Sequence, residues 1–228
     1  MQLNVAILGG GSWGTTVGAL VARNAPVKLW VRNKNTCDEI NSQHTNSRYL
    51  GETPLPENLV ATNDMEDAVK DANVLVVGIP SQNFREVLES TKPYLKPWVP
   101  IISLTKGLEL STHQRMTEVI SDVFPGHPVG ILTGPNLARE IISGQAAASV
   151  IAMEDHNICA EMQKLFGAGL FRVYTNNDVV GCELGGVLKN IIAIAVGIGD
   201  GQGAGDNTRA ALITRGLCLL YTSDAADD

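Results

Sequence analysis

Short apolar runs bounded by Gly, Pro and Asn alternate along most of the chain with segments of helical periodicity. The runs are rich in β-branched residues and almost free of polar ones, which is typical of strands buried on both faces of a sheet. The predicted strands are Val5 to Leu8, Val27 to Val31, Val74 to Ile79, Ile101 to Leu104, Val129 to Leu132 and Ser149 to Ala152. The predicted helices are Trp13 to Arg23, Met65 to Asp71, Asn83 to Lys92, Thr112 to Val123 and Asn157 to Phe166. This alternation predicts an α/β fold with a doubly wound parallel sheet.

The pattern changes after Tyr174. Residues 175–178 have the composition of a turn and a helix cap, and no strand signal follows them. We therefore predict an α/β domain over residues 1–175 and the beginning of a helical domain over residues 176–217. The elements predicted for the helical part are a helix from Val179, a glycine-rich loop over 197–205 and a helix from Asn207.

The last eleven residues, 218–228, abandon the preceding pattern and end in an acidic stretch just as a helix is beginning. We expect an anomalous tail, in which unrelated coding has replaced the true C-terminus and cut the second domain short. A natural frayed terminus is the alternative.

Composition narrows the classes of protein to which the chain can belong. With 44% hydrophobic residues among 228, the chain can bury a sizeable core and is not disordered. The 17 Lys and Arg against 24 Asp and Glu give a net charge of -7, which predicts that nucleic acid is not a partner. The four cysteines form no paired motif and stand apart from the histidines, so we expect neither a disulfide framework nor a metal site. A reducing cytoplasm fits this cysteine usage best.

The sequence also predicts that no segment spans a membrane. The N-terminus lacks the basic region and apolar core of a signal peptide. The longest apolar stretch, Leu184 to Ile198, contains Lys189 and Asn190 and is shorter than the roughly 20 residues that a bilayer requires. We interpret it as a buried helix.

A glycine-rich motif stands between the first predicted strand and the first predicted helix. Gly9, Gly11 and Gly14 have the spacing G-x-G-x-x-G. In this context Gly9 allows a tight turn, Gly11 leaves room for a pyrophosphate, and Gly14 permits close packing of helix on strand. We therefore predict a dinucleotide site, with a glycine-rich turn that binds nothing as the alternative.

Arg32 follows the second predicted strand, where an NAD-selective site usually carries an acidic residue for the ribose 2′-hydroxyl. An arginine there can stack on adenine and pair with a 2′-phosphate. The sequence thus favours NADP over NAD alone, with a solvated loop arginine as the alternative.

Two later strand ends carry further polar groups. Lys106 and Gly107 follow the strand that ends at Leu104, and Gly134-Pro135-Asn136 follows the strand that ends at Leu132. Ligands bind outside the carboxyl ends of the strands in open parallel sheets, so we expect the ammonium of Lys106 at the cofactor crevice. A surface lysine is the alternative.

Lys189 lies in a helical segment that is apolar nearly all round, which predicts that the segment is buried. Gly185 and Gly186, one turn earlier, leave open volume beside the amine. A buried ammonium persists where it pairs with an anion or titrates near neutrality. We interpret Lys189 as a substrate-facing acid/base, with a structural ion pair to Glu183 as the alternative.

Taken together, these motifs resemble the bacterial NAD(P)-dependent glycerol-3-phosphate dehydrogenase family. The segments that carry the resemblance are Gly9 to Thr15, Leu29 to Arg32, Thr105 to Glu109, Thr133 to Ala138, Gly185 to Asn190 and Gly205 to Gly216. The resemblance implies a Rossmann-type domain followed by a helical substrate domain. It also implies an oxidoreductase that interconverts sn-glycerol 3-phosphate and dihydroxyacetone phosphate and supplies phospholipid synthesis.

The resemblance also assigns roles to single residues. It implies Lys189 as the catalytic acid/base. The implied cofactor contacts are Ser12, Trp13, Arg32, Lys106 and Ala138, and the implied substrate contacts are Lys106, Gly134 and Asn136. Asn136 departs from the Thr or Ser that the family often has there, but its amide can still donate and accept hydrogen bonds.

Nothing after Leu217 matches the family's later substrate-binding loop. Part of the phosphate site is therefore expected to be missing, and the chain as given is expected to be inactive if that loop is essential. Two alternatives stay open at this point: another β-hydroxyacid dehydrogenase and a non-catalytic dinucleotide-binding fragment. A homodimer is also left open.

Overall fold

Eight strands within residues 3–224, the part of the chain that this computed structural model describes, form one sheet. The strands are β1 (Val5–Leu8), β2 (Val27–Trp30), β3 (Leu59–Thr62), β4 (Val74–Val77), β5 (Ile101–Ser103), β6 (Val129–Thr133), β7 (Ala147–Met153) and β8 (Phe171–Asn176). Their order across the sheet is β3-β2-β1-β4-β5-β6-β7-β8. Every neighbouring pair is parallel except β6 and β7.

Helices connect the strands and cover the sheet. They are α1 (Ser12–Val21), α2 (Lys34–Gln43), α3 (Ser47–Leu50), α4 (Met65–Val69), α5 (Phe84–Thr91), α6 (Met116–Val123), α7 (Ala138–Ile142) and α8 (His156–Phe166). Successive residues of β1 point into opposite cores: Val5 and Ile7 into one, Ala6 and Leu8 into the other. The sheet is therefore buried on both faces, and the predicted doubly wound α/β fold is confirmed.

Three features of the sheet differ from the prediction. β8 was not among the six predicted strands, because its residues alternate between buried and exposed positions. β3 was not predicted, because its short run alternates between buried and exposed positions and lies among polar residues. β7 runs antiparallel to β6, whereas the prediction was a wholly parallel sheet. The connection between these strands contains only the five-residue helix α7, which is too short to carry the chain back along the length of a strand.

The predicted helix from Thr112 begins instead at Met116. Its first turn is closed by Glu118, whose carboxylate accepts the backbone N–H of Arg115 at 2.7 Å. The residues between Glu109 and Arg115 form an irregular loop. α2, α3 and α7 were not predicted, because their polar sequences have weak apolar periodicity.

The chain divides into two compact units, Met1–Val179 and Val180–Asp228. The predicted division at residue 175 stays a prediction. The described part of the second region consists of α9 (Val179–Gly201) and α10 (Asp206–Asp224). α9 thus extends into the predicted glycine loop and leaves only residues 202–205 outside a helix. Of the predicted tail, residues 218–224 continue α10, and residues 225–228 lie outside the described residues.

The prediction that the apolar stretch of α9 is a buried helix is wrong. Ile191, Ile194 and Ile198 are 63%, 64% and 58% exposed, and Glu183 is its buried residue. Composition predicted an apolar helix correctly, but it could not show that the described residues leave these side chains uncovered. The length argument is also wrong, since α9 has 23 residues and is long and apolar enough to cross a membrane by length and composition alone. Core helices of soluble proteins pass the same test, so this is weak evidence for a span.

Candidate functional site

The glycine motif forms the turn between β1 and α1. Gly9 has φ of 116°, a backbone conformation that side chains rarely allow, and a Cβ there would collide with the carbonyl of Gly78. A Cβ at Gly14 would collide with the carbonyl of Gly9. A Cβ at Gly11, by contrast, would meet no atom within 4 Å, so the backbone there faces open space. The three glycines thus have the local geometry that their spacing predicted.

The start of α1 offers hydrogen-bond donors at this open side. Gly11 is the N-cap residue, without a capping side chain, and its carbonyl accepts the N–H of Thr15 at 3.0 Å. The N–H groups of the first helical turn have no acceptor within a helix, and the helix dipole adds partial positive charge there. Such a helix start binds an anionic phosphate without any charged side chain.

The turn lies where the strand order of the sheet reverses. β1 has β2 on one side and β4 on the other, and β5 follows β4. The chain segments after β4 and β5 are joined by Thr105, whose hydroxyl donates to the carbonyl of Ile79 at 2.6 Å. Ligands of open α/β sheets bind at such a reversal, outside the carboxyl ends of the strands.

Lys106 and Gly134 come together at this edge. Lys106 follows β5 and is exposed, and its Nζ donates to the carbonyl of Gly134 after β6 at 3.0 Å. Gly107 has φ of 131°, and a Cβ there would lie 3.0 Å from Oγ of Ser81. The glycine therefore lets the loop turn closely past the segment that follows β4.

Asn136 lies beside β7. Its Oδ1 accepts the hydroxyl of Ser149 at 2.6 Å, whereas its Nδ2 is buried without a hydrogen-bond partner in the described residues. Buried amide donors are normally satisfied, so this nitrogen has the capacity to bind an acceptor. Ala138, at the start of α7, is tied to α1 because its carbonyl accepts the hydroxyl of Thr16 at 3.5 Å.

Trp13 lies within the glycine motif, and Arg32 follows the neighbouring strand β2. Arg32 is exposed, and within residues 3–224 its guanidinium has no ion pair. The following Asn33 caps α2 by accepting the N–H of Asn35 at 2.8 Å. The indole of Trp13 packs on the core with its ring centroid 6.4 Å from that of Phe171. The Trp13 ring is thus partly fixed, while its backbone N–H belongs to the open helix start.

Lys189 is exposed, so the predicted burial of its amine is wrong. Its Nζ donates to Oδ1 of Asn190 at 3.3 Å, and in the described residues it forms no ion pair with Glu183. A Cβ added at Gly185 would meet nothing within 4 Å, so there is space one turn earlier on α9. The catalytic role of Lys189 stays a prediction.

The sequence analysis missed an ion-pair network that holds the loop after Lys106. Arg85 on α5 donates from Nε and Nη2 to the two carboxylate oxygens of Glu109, at 2.8 and 3.0 Å. Hydrogen bonds from Arg85 and then Thr112 hold the pKa of the Glu109 carboxyl below its ordinary value. The only available signal was a charged residue next to Lys106-Gly107-Leu108, which does not identify a partner 24 residues away.

Within residues 3–224 no group of three or more His, Cys, Asp or Glu side chains could hold a metal ion. In the part of the chain that the structure describes, the cysteines at positions 37, 159, 182 and 218 form no disulfide. Burial raises the pKa of the Cys37 and Cys159 thiols. Neither of these two is thus prepared as a thiolate nucleophile.

Comparisons with known proteins agree with this geometry. The family model of the NAD-dependent glycerol-3-phosphate dehydrogenase N-terminus matches residues 4–159, and that of the C-terminus matches residues 178–222. Glycerol-3-phosphate dehydrogenase (NAD(P)+) 2 of Sphingopyxis alaskensis is 64% identical over 96% of this chain and 66% of its own length. The glycerol-3-phosphate dehydrogenase (NAD(P)+) of Mycobacterium avium is 52% identical over 93% of this chain and 63% of its own length.

A solved structure is similar throughout. The crystal structure of glycerol-3-phosphate dehydrogenase from Coxiella burnetii has a TM-score of 0.88 at 36% identity, covering 96% of this chain and 68% of that one. The chain spans about two thirds of the length of the curated relatives it matches. The glycine turn, the sheet order and both family matches lead to one conclusion: the chain belongs to the NAD-dependent glycerol-3-phosphate dehydrogenase family.

Proposed function

We propose that the protein interconverts sn-glycerol 3-phosphate and dihydroxyacetone phosphate with NAD(P)(H), and so supplies glycerol 3-phosphate for phospholipid synthesis in the cytoplasm. The observation that carries the proposal is the open glycine turn at the start of α1, on the same sheet edge as Lys106 and Gly134. The turn suits a pyrophosphate, and the lysine suits a second, phosphorylated molecule beside it. The family membership and the names of the relatives support the same reaction.

The cofactor fits the donors that the first unit provides. The turn from Gly9 to Gly14 would hold the pyrophosphate through backbone N–H groups, including those of Ser12 and Trp13. Arg32, which has no ion pair in the described residues, would bind a 2′-phosphate and so favour NADPH. Lys106 and Ala138 complete the proposed contacts. When bound, the nicotinamide supplies or accepts the hydride.

Reduction of the ketone needs a proton as well as a hydride. We assign the proton to the Lys189 ammonium, which donates it to the carbonyl oxygen as the carbon gains the hydride. The C=O double bond becomes a C–O single bond as a new C–H bond and a new O–H bond form, and the lysine is left neutral until solvent reprotonates it. Lys106 attracts the anionic substrate, and the unpartnered Nδ2 of Asn136 offers it a hydrogen bond.

Cofactor binding is tested on the 228-residue chain by titration with NADPH and NADH. Arg32→Asp should shift preference toward NADH, because a carboxylate repels the 2′-phosphate and accepts from a 2′-hydroxyl. Arg172→Asp on β8, an exposed site with the same charge change, is the control and should keep the wild-type ratio. If the ratio of the NADPH and NADH affinities is unchanged in Arg32→Asp, then Arg32 does not contact the 2′ position of the ribose.

Catalysis is tested by steady-state reduction of dihydroxyacetone phosphate. The assay uses the 228-residue chain and a chimera in which the Sphingopyxis alaskensis relative supplies the sequence after Leu217. In the active protein, Lys189→Ala should lose about 10²- to 10⁴-fold in turnover while binding NADPH normally. Lys106→Ala should also raise KM, whereas the exposed Lys92→Ala should change neither value. A near-normal turnover of Lys189→Ala would refute its catalytic role.

A further inference from the structure

Asn46, between α2 and α3, is fully buried and touches the glycine turn. Its Nδ2 donates to the carbonyl of Gly10 at 3.0 Å and to the hydroxyl oxygen of Thr15 at 2.9 Å. A backbone carbonyl can only accept, so the amide nitrogen must be the atom that faces Gly10. One side chain therefore joins the glycine turn to the first turn of α1, across 36 residues of sequence.

This hydrogen bond fixes the orientation of the peptide unit between Gly10 and Gly11. In a planar trans peptide the C=O and the following N–H point in opposite directions. Because the Gly10 carbonyl points inward to buried Asn46, the N–H of Gly11 points the other way, and the Gly11 backbone faces open space. The same bond keeps a partly negative carbonyl oxygen away from the place where a phosphate would bind.

The segment that carries Asn46 is itself held in place. The Glu39 carboxylate accepts the backbone N–H of Ser47 at 2.5 Å and the hydroxyl of Thr45 at 3.1 Å, so it binds both neighbours of Asn46 in sequence. The carbonyl of Asn46 accepts the N–H of Leu50 at 2.9 Å.

The carbonyl oxygen of the Asn46 amide indicates that this side chain does more than fill space in the core. Oδ1 of Asn46 is buried and has no hydrogen-bond partner in the described residues. Leaving a buried acceptor unpaired costs stability, so a residue that served packing alone would be better apolar. The two donations toward the turn are what this side chain contributes.

We infer that Asn46 is a positioning residue for the phosphate-binding turn: it orients the Gly10–Gly11 peptide so that the turn and the start of α1 bind the pyrophosphate of the cofactor. The inference rests on the proposed function, because it concerns the same nicotinamide dinucleotide site. It adds a residue from outside the glycine motif, reached through the α2–α3 connection.

The test measures dissociation constants of the 228-residue chain for NADPH and for adenosine 2′-phosphate, which lacks the pyrophosphate. Asn46→Ala should bind NADPH about tenfold more weakly, the effect of losing two hydrogen bonds, and adenosine 2′-phosphate within about twofold of wild type. The matched control is Asn41→Ala. Asn41 on α2 also makes two hydrogen bonds through its amide, but both are to the backbone of Ala61, at 2.9 and 2.8 Å, and none is to the turn. The Asn41→Ala substitution should lower the melting temperature of the chain without weakening its binding of NADPH.

Glu39→Ala and Glu39→Gln keep the test decisive if Asn46→Ala does not fold. Glu39→Ala, which removes the carboxylate, should weaken the binding of NADPH about two- to fivefold. Glu39→Gln should bind NADPH as wild type does, because its amide oxygen still accepts the N–H of Ser47. NADPH affinity within about twofold of wild type in folded Asn46→Ala, or in Glu39→Ala where Asn46→Ala is unfolded, would overturn the inference. A wild-type chain that binds neither NADPH nor NADH would refute the proposed function instead.

Discussion

The two compact units of the chain bury apolar side chains to very different degrees. In the first, alternate residues of the strands fill two cores, one on each face of the sheet, and side chains such as Ile7, Leu29 and Phe84 are fully buried. In the second, Ile191, Ile194 and Ile198 of α9 are more than half exposed, and the buried residue of that helix is the acidic Glu183. A similar apolar content thus gives a core in one region and an apolar surface in the other, because only the sheet supplies facing layers.

The largest expected contrast concerns stability. Phe84→Ala should lower the free energy of unfolding of the first unit by about 3–5 kcal/mol, through lost burial and the cavity left behind. Ile194→Ala should change stability by no more than about 0.5 kcal/mol, because its side chain is already exposed. Urea unfolding followed by tryptophan fluorescence reports the first unit, which contains all three tryptophans, and circular dichroism reports both. Equal costs for the two substitutions would contradict the contrast.

Hydrogen exchange should give the next contrast. Amides of β1, β4 and β5 should exchange only through global unfolding, whereas those of residues 191–198 should exchange at least about 100-fold faster through local opening. The reason is that no apolar side chain of the latter helix segment is buried in the described residues. Mass spectrometry on peptides from the two segments measures the ratio. Comparable protection of both would mean that the isoleucines of α9 are covered in solution.

Local sequence signals predicted the parts of the site that depend on neighbouring residues. The glycine turn follows from the conformations that Gly9, Gly11 and Gly14 alone allow, and the Lys106–Gly134 contact follows from two parallel strands ending at one edge. Long-range polar contacts could not be predicted. Asn46 lies in a polar stretch without periodicity, and nothing in its surroundings identifies Gly10 as its partner.

Burial was the other quantity that the sequence could not give. An apolar helix predicts an apolar neighbour, but it does not show whether that neighbour belongs to the same chain. For Lys189 the prediction of a buried amine failed for this reason, although the helix itself was predicted correctly. The predicted direction of β7 was wrong because that direction depends on the length of α7, a helix that the apolar periodicity did not reveal.

Ion pairs should contribute less to stability than the apolar cores do. Of the ion pairs compared between the two units, the Arg85–Glu109 pair of the first unit should be the stronger. The Glu109 side chain is only 11% exposed and accepts two hydrogen bonds from Arg85. Glu109→Gln should lower the free energy of unfolding by about 1–3 kcal/mol near neutral pH, as expected for hydrogen bonds to a charged group. Urea unfolding followed by tryptophan fluorescence measures this loss.

The pH dependence gives the pair a second signature. The folded-state pKa of Glu109 lies below its ordinary value of 4.5, so its contribution is present above that value and is lost as pH falls through the lowered folded-state pKa. The stability difference between wild type and Glu109→Gln should therefore shrink on acidification. A difference that stays constant through the acid range would show that the substitution disturbs packing instead of the ion pair.

The smallest effect is expected for the corresponding pair in the second unit. Arg209 on α10 binds Asp200 on α9 at 2.8 Å and Asp206 at 3.1 Å, but the Arg209 and Asp200 side chains are 46% and 42% exposed. Water and salt screen such pairs, and ordering two long side chains costs entropy, so Asp200→Asn should lower stability by no more than about 0.5 kcal/mol. Thermal melting by circular dichroism at low and high salt measures this value, and Asp206→Asn is the matched control on the same arginine. A loss as large as that of Glu109→Gln would mean that the Arg209–Asp200 contact holds α9 and α10 together, and that the second unit, like the first, depends on a fixed polar contact between its elements.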